Sequence, residues 1–399
     1  MATAAAPGAA PAPARRLPPT VVALGVVSLL TDAASEMIYP LLPALIISLG
    51  GGPAFLGLIE GVAESTAAFL KLGSGVLTDR RRTRKPLVVA GYAIASVLRP
   101  LVAFATAPWH VLAVRFGDRI GKGLRASPRD ALLAAAAPPG RRGLAFGFHR
   151  AMDHAGAVVG PLLALLFLEV AHLRPRTVFL LAAVPGALAL LVLVVFVREQ
   201  VVAPPPAAAP GAPRTRARLG ARLWWFYAAL VLFTLGNSSD AFLLLHAQKR
   251  GLALALLPAL WLMHHVVKAA LSSLGGALSD RVGRRPAILA GWALYALVYL
   301  AFGLAAASWQ IWLLFAVYGV YFALCEGAEK ALVADLAPAD ARGAAFGVYN
   351  FAIGVAALPA SLLFGALYQT AGPFAAFATG AACAAAGAVV LLLGAAATR

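Results

Sequence analysis

The chain has 399 residues, of which 61% are hydrophobic and only 12% charged, and its formal net charge is +17. Water-soluble domains run about 45–50% apolar and about a quarter charged, and a chain of this size still exposes much of its surface. A soluble enzyme, a secreted disulfide scaffold and a disordered regulator are thereby excluded, and lipid is the expected solvent.

A helix that crosses a bilayer needs about 20 mainly apolar residues. Residues 1–19, rich in Ala and Pro and ending Arg15-Arg16-Leu17-Pro18-Pro19, read as a disordered tail. The long apolar run behind them lacks a small-residue cleavage site, so a cleaved signal peptide is not expected. Six membrane helices follow, at 20–48, 54–78, 87–106, 109–131, 143–169 and 177–198. Residues 199–221, with Pro204-Pro205-Pro206 and Arg214, Arg216 and Arg218, read as a linker. Six more helices come after it, at 222–246, 254–279, 286–306, 308–334, 343–369 and 373–394. The expected fold is an all-α membrane protein with one six-helix bundle over 20–198 and another over 222–394. Of the 33 lysines and arginines, 19 fall at the termini or in alternate loops, and the loops between hold only Arg174, Arg176, Lys249 and Arg250. That asymmetry puts the tail, the linker and both termini in the cytoplasm. The basic charge is a topology signal, so no nucleic-acid partner is expected. Cys325 and Cys383, both inside apolar runs, offer neither a disulfide framework nor a zinc site.

The two halves repeat each other. Gly143-Leu144-Ala145-Phe146-Gly147 returns as Gly343-Ala344-Ala345-Phe346-Gly347, and Arg84-Lys85-Pro86 returns as Arg284-Arg285-Pro286. Gly75-Val76-Leu77-Thr78-Asp79-Arg80 returns as Gly276-Ala277-Leu278-Ser279-Asp280-Arg281. Parallel six-helix repeats about an axis along the membrane normal are a transporter architecture.

On these residues the chain resembles the major facilitator superfamily over nearly all of 20–394. The loop signature of that family, Gly-x-Leu-x-Asp-Arg-x-Gly-Arg-Arg/Lys, is complete in the second half as Gly276, Leu278, Asp280, Arg281, Gly283, Arg284 and Arg285. The first half keeps Gly75, Asp79 and Arg80 but has Arg82 at the usual glycine. The resemblance implies a gate at these loops, with Arg129 and Asp130 of the fourth helix beside it. An aspartate at a helix end binds amides or an arginine of a neighbour, and its release frees a bundle to move. Arg115-Phe116-Gly117-Asp118 in the fourth helix is similar to a family motif whose arginine assists proton transfer in drug/proton antiporters. Gly156-Ala157-Val158-Val159-Gly160-Pro161 in the fifth resembles the antiporter signature, without its last glycine pair. As packing, Gly156 and Gly160 form a close-approach face and Pro161 permits a bend.

The remaining signal is charge inside membrane helices, where an ionisable group costs on the order of 2.5–3.5 kcal/mol or more. The expected proton and substrate pathway comprises Asp32 and Glu36 on the first helix, Glu60 and Glu64 on the second, and Arg115, Arg119 and Lys122 on the fourth. Asp153, Asp240, Lys268 and Glu326 extend it. Arg115, Arg119, Lys122, Arg125 and Arg129 recur at helical spacing and form one basic stripe. Gly117 to Gly123 only brushes against phosphate-binding and dinucleotide patterns, so no cofactor is expected; His264 and His265 are adjacent, so no metal site is expected either. The function these residues imply is alternating-access transport in the plasma membrane by a monomer: proton-coupled export of a small organic solute or drug. Glu36 and Asp32 carry the proton in that reading, with Arg115 adjusting them. The alternative is uptake or exchange of an organic anion on the basic stripe. A metal exporter lacks its His-rich tail, and a non-transporting receptor lacks a soluble signalling domain.

Overall fold

The computed structural model describes residues 17–80, 83–137, 142–199, 219–337 and 342–396. Among them the regular structure is helical, grouped into twelve spans. They are α1 Pro19–Ser48, α2 Pro53–Arg80, α3 Lys85–Phe104, α4 Pro108–Ala136, α5 142–170 and α6 Pro175–Phe196. The second set is α7 Ala221–Lys249, α8 Leu257–Val282, α9 Arg284–Leu304, α10 Ser308–Leu336, α11 Arg342–Thr370 and α12 Pro373–Ala396. Helices are the natural choice because lipid offers the backbone no partner outside the helix itself. Prolines in the first turn, such as Pro19, Pro53, Pro108 and Pro373, start them without losing a bond that the helix needs. Gly283, between α8 and α9, has φ +95°, which explains why the complete loop signature holds a glycine there. The expected tail and linker lie almost wholly outside the described residues.

The twelve expected helices are all present, and among the described residues eleven of them are long and apolar enough to cross a membrane by composition, α4 being the exception. Its 29 residues bury Arg115, Asp118, Arg119 and Arg125 while Trp109 and Phe116 are exposed. Its charges are thus turned inward, and low hydropathy does not stop it from having a lipid-facing side. The seventh helix, expected to be continuous over 222–246, is interrupted: it runs to Gly236 and resumes at Ala241. Asn237, Ser238, Ser239 and Asp240 fill the gap, and short polar side chains of this kind compete with the helix for backbone bonds. The Ser239 hydroxyl accepts the Ala241 N–H at 3.3 Å.

Glycines set the tightest helix contacts. A Cβ at Gly160 of α5 would lie 2.6 Å from the Ala33 carbonyl oxygen and 2.8 Å from the Glu36 Cβ on α1. Gly156 faces Leu29 and Asp32 in the same way. The fifth-helix motif therefore presses the backbone of α5 against the α1 face that carries both carboxylates. Gly91 of α3 meets Gly121 of α4, and its repeat Gly291 of α9 meets Cys325 of α10, so the duplication preserves this seam. Between the halves, Gly57, Gly61 and Ala68 of α2 meet Ser361, Leu358 and Gly354 of α11.

The polar contacts across the halves share one end of the molecule. Ala54 N–H donates to Gln369 at 3.1 Å, and the Ser65 hydroxyl donates to the Gly354 carbonyl at 2.7 Å. They run from the turns at 49–52 and 371–372 to the middle of α2 and α11. The loop signatures lie at the opposite end.

These contacts predict contrasting effects of added side chains. Gly160→Val is expected to remove most of the folded protein, because the added atoms meet the α1 backbone. Gly276→Ala, with nothing within 4 Å of the new Cβ, is expected to leave the thermal midpoint unchanged. Detergent-solubilised yield and thermal unfolding of both variants test this, and equal losses would refute it.

Candidate functional site

The first half resolves most of its buried charge into pairs. Arg99 Nε donates to Asp118 at 2.7 Å, and its Nη1 donates to the Thr31 carbonyl at 2.9 Å. Arg115 donates through Nε and Nη2 to one oxygen of Glu60, at 3.1 and 2.6 Å. The other oxygen of Glu60 accepts the Ser239 hydroxyl of α7 at 3.1 Å, and Ser239 lies 3.3 Å from the Tyr39 hydroxyl. Arg119 lies 3.2 Å from Glu64. Arg115, expected to adjust Glu36 and Asp32, pairs directly with Glu60 of α2, and its guanidinium lies over the Tyr39 ring at 5.5 Å.

Glu36 looks across the molecule. Its Oε2 accepts the indole N–H of Trp261 on α8 at 2.7 Å, and His265 Nε2 lies 4.0 Å from the same oxygen. Trp261 had no place among the expected site residues, and nothing in its spacing marks it. A donor-only side chain can face a carboxylate only through the tertiary fold.

Two cavities adjoin these groups. One of about 150 Å³ is walled by Asp32, Glu36, Glu64, Arg119, Lys122, Arg125 and Trp261, among others. The other, of about 320 Å³, shares Tyr39 and Glu64 with it and extends past Lys71 to Thr234, Asn237, Ser238, Ser239, Asp240 and Asn350. The structure thus places Asp32, Glu36, Glu64, Arg119 and Lys122 around the smaller cavity and Glu64 and Asp240 around the larger. Arg119 Nε and Arg125 Nη1 are buried and bond no described atom, as is true of the Tyr92 hydroxyl and of Nε2 in His149, His264 and His265. The Arg125 guanidinium lies over the Tyr92 ring at 4.2 Å.

Other expected pathway residues fall elsewhere. Asp153 accepts the Ser28 hydroxyl and lies 3.5 Å from His149 and 3.4 Å from Arg150, on the α1–α5 seam. Lys268 places its ammonium 4.0 Å from the Phe322 ring centre, and Glu326 pairs with Lys330 at 3.4 Å. At the loop signatures, Asp280 forms an ion pair with Arg284, which also lies 3.4 Å from Asp335. Arg281 is exposed. The surroundings of Gly75 and the side chains of Asp79 and Arg80 lie outside the described part of the structure. Arg129 and Asp130 bond each other at 2.8 Å, whereas their repeat Glu329 is held by Trp292 Nε1 and the Tyr349 hydroxyl, each at 3.0 Å.

The family model for the Major Facilitator Superfamily matches residues 24–267 and 262–398. An uncharacterized MFS-type transporter of Methanocaldococcus jannaschii is 35% identical over 366 residues, covering 89% of this chain and 90% of that protein. A multidrug resistance protein of Photorhabdus laumondii is 28% identical over 134 residues, 33% of each chain. Among solved structures, a POT family transporter superposes with a TM-score of 0.79 at 13% identity, covering 94% of this chain and 95% of that one. At that identity the likeness concerns the fold.

The Glu60–Arg115 pair yields a second prediction. Removing one member leaves an uncompensated buried charge and is expected to destabilise the protein by about 3–5 kcal/mol. Glu60→Leu and Arg115→Met should each lower the unfolding midpoint, and the double variant should recover most of the loss. Additive losses in the double variant would show that the two groups do not act as a pair.

Proposed function

Because the chain belongs to the major facilitator superfamily, we propose that this integral multi-pass membrane protein moves a small organic anion together with protons by alternating access. It is a transporter and not an enzyme. The observation that carries the substrate class is the group of cations lining the smaller cavity, Arg119, Lys122 and Arg125, of which Arg119 Nε and Arg125 Nη1 bond no described atom. A buried donor left unbonded is disfavoured by about 1–3 kcal/mol, more when charged. A carboxylate or phosphate supplies the missing acceptors in charge-assisted form.

Charge balance supplies the coupling. Around the smaller cavity, Arg119, Lys122 and Arg125 stand against Asp32, Glu36 and Glu64, with Arg99 already paired to Asp118. An arriving anion adds negative charge to a poorly solvated space, and a proton on Asp32 or Glu36 restores the balance. Anion and proton therefore favour each other's binding. Glu36 also joins the halves through Trp261, and an indole N–H bonds a carboxylate more strongly than a neutral acid. Protonation of Glu36 thus loosens a contact between bundles, which links proton loading to their movement.

In this reading the basic loops and both termini face the cytoplasm of a plasma-membrane monomer. The halves then touch at the external end, the arrangement of an inward-facing carrier. The Asp79 and Asp280 loops serve as its cytoplasmic gate.

A second reading is export of a small organic solute or drug in exchange for protons. Three carboxylates on the cavity wall favour it, as does the likeness over a third of the chain to a multidrug resistance protein. Its substrate is a cation that competes with protons, so the two readings differ in sign.

Proteoliposomes separate them. With a panel of small organic acids, acidifying the outside is expected to accelerate uptake and to carry protons inward, read by an internal pH dye. Glu36→Gln should lose the pH-driven net flux while still exchanging labelled for unlabelled substrate. Uptake slowed by external acid, with organic cations driven outward, would establish exchange instead. Undiminished pH-driven flux in Glu36→Gln would remove Glu36 from the coupling.

A further inference from the structure

We infer that the interruption of α7 is a recognition site for a primary ammonium group, so that the transported anion is a zwitterion whose acidic end meets α4 and whose amine meets Asp240. This deepens the preceding reading and rests on it for the acidic end.

The break itself is the first observation. Helix α7 stops at Gly236 and resumes at Ala241, well inside a 29-residue span. Irregular backbone at membrane depth persists where it borders protein or a polar cavity, and this one lines the larger cavity. The C-terminal end of the leading half-helix carries partial negative charge and points at the gap. Interrupted helices in transporters bring such ends and unwound backbone onto bound cations.

Asp240 is the second. Its Oδ1 accepts the Tyr318 hydroxyl at 2.7 Å, which orients the carboxylate, and it forms no ion pair among the described residues. Lys268, whose field reaches Asp240, lies against the Phe322 ring. On the α7, α10 and α11 wall of the cavity Asp240 is the one charged residue, and the polar groups beside it are Thr234, Asn237, Ser238 and Ser239. Their hydroxyl and amide oxygens accept the hydrogens of an ammonium.

Polarity across the two adjoining cavities is the third. The smaller is lined by Arg119, Lys122 and Arg125 of α4, and the second-half wall of the larger carries Asp240, with Lys71 of α2 on the wall opposite. A ligand with opposite charges at its two ends satisfies both walls at once. A bare sodium ion shares the chemistry of the α7 site, so it is the alternative occupant that an experiment must separate.

The test uses the whole chain in nanodiscs, with dissociation constants taken from ligand-induced shifts in thermal unfolding. Probes are β-alanine and γ-aminobutyrate against propionate and butyrate, in sodium and in choline buffers. The amino forms are expected to bind about tenfold tighter or more. Asp240→Asn, which can still accept the Tyr318 hydroxyl, should abolish that advantage while butyrate still binds. If Asp240→Asn does not fold, γ-butyrobetaine on the unmodified protein replaces it. That ligand keeps the charge but has no N–H, and should bind about tenfold more weakly than γ-aminobutyrate.

Equal affinities for amino and plain acids would overturn the ammonium site and leave the anion reading standing. Butyrate binding that strengthens in sodium, without any benefit from the amine, would assign the site to the metal ion instead. An amine advantage that survives Asp240→Asn, or betaine binding equal to that of the amine, also overturns the proposal. If neither acids nor amino acids bind, the anion reading falls with it.

Discussion

Charge without water is the constraint on which this structure turns. Helix α4 buries Arg115, Asp118, Arg119 and Arg125 at a depth where isolated ions are not tolerated. Each charge must therefore find a partner within the protein, and the partners define the bundle. Arg99 of α3, Glu60 and Glu64 of α2 and the Thr31 carbonyl of α1 all converge on α4 or on its pairs. Those bonds fix how four helices stand relative to one another. Arg125, left without an ion pair among the described residues, lines the smaller cavity instead and stacks on Tyr92.

The halves descend from one pattern but use different physics. At Gly91 and Gly291 both keep a close seam between consecutive helices. Where the first half has Arg129, the second has Glu329, bonded to an indole and a phenol instead of a cation. Around it the second half packs aromatic rings: Phe233 stacks on Trp292 with centroids 4.6 Å apart, and Tyr295 stacks on Tyr299 at 4.1 Å. That core also buries His246, His264 and Glu329, each held by a hydrogen bond. Buried ion pairs concentrate in the first half, while Asp240 of the second lines the larger cavity.

Much of this was legible in the sequence, for identifiable reasons. Apolar runs of membrane length and the repeated loop signatures announced the helices and their duplication, because lipid imposes both length and composition. The Gly156 and Gly160 spacing disclosed a close approach, although only the fold shows that Asp32 and Glu36 lie opposite. Partners across helices were not legible. Arg115 shares a helix face with Arg119, so spacing groups them, yet their acids are different residues of α2. Trp261 and the break at 237–240 were missed for a related reason. A tryptophan in an apolar helix has many uses, and four polar residues in a hydrophobic segment resemble a polar helix face until the backbone is seen to unwind.

How the halves meet indicates what kind of motion the protein favours. Within the first half, neighbouring helices are joined by buried ion pairs, each costly to separate in lipid. Between the halves, the contacts are glycine-lined surfaces and single hydrogen bonds, such as Ser65 to Gly354 and Trp261 to Glu36. A neutral hydrogen bond contributes only about 0.5–1.5 kcal/mol net, and close packing reforms wherever another small-residue face is offered. Moving one bundle against the other therefore breaks weak contacts, whereas bending a bundle breaks strong ones. Two cross-half contacts differ, Trp261 to Glu36 and Ser239 to Glu60, because a carboxylate is the acceptor in each. A carrier built this way is expected to move as two rigid bodies, and in the proton-coupled reading proposed above its carboxylate contacts between the halves register whether a proton has arrived.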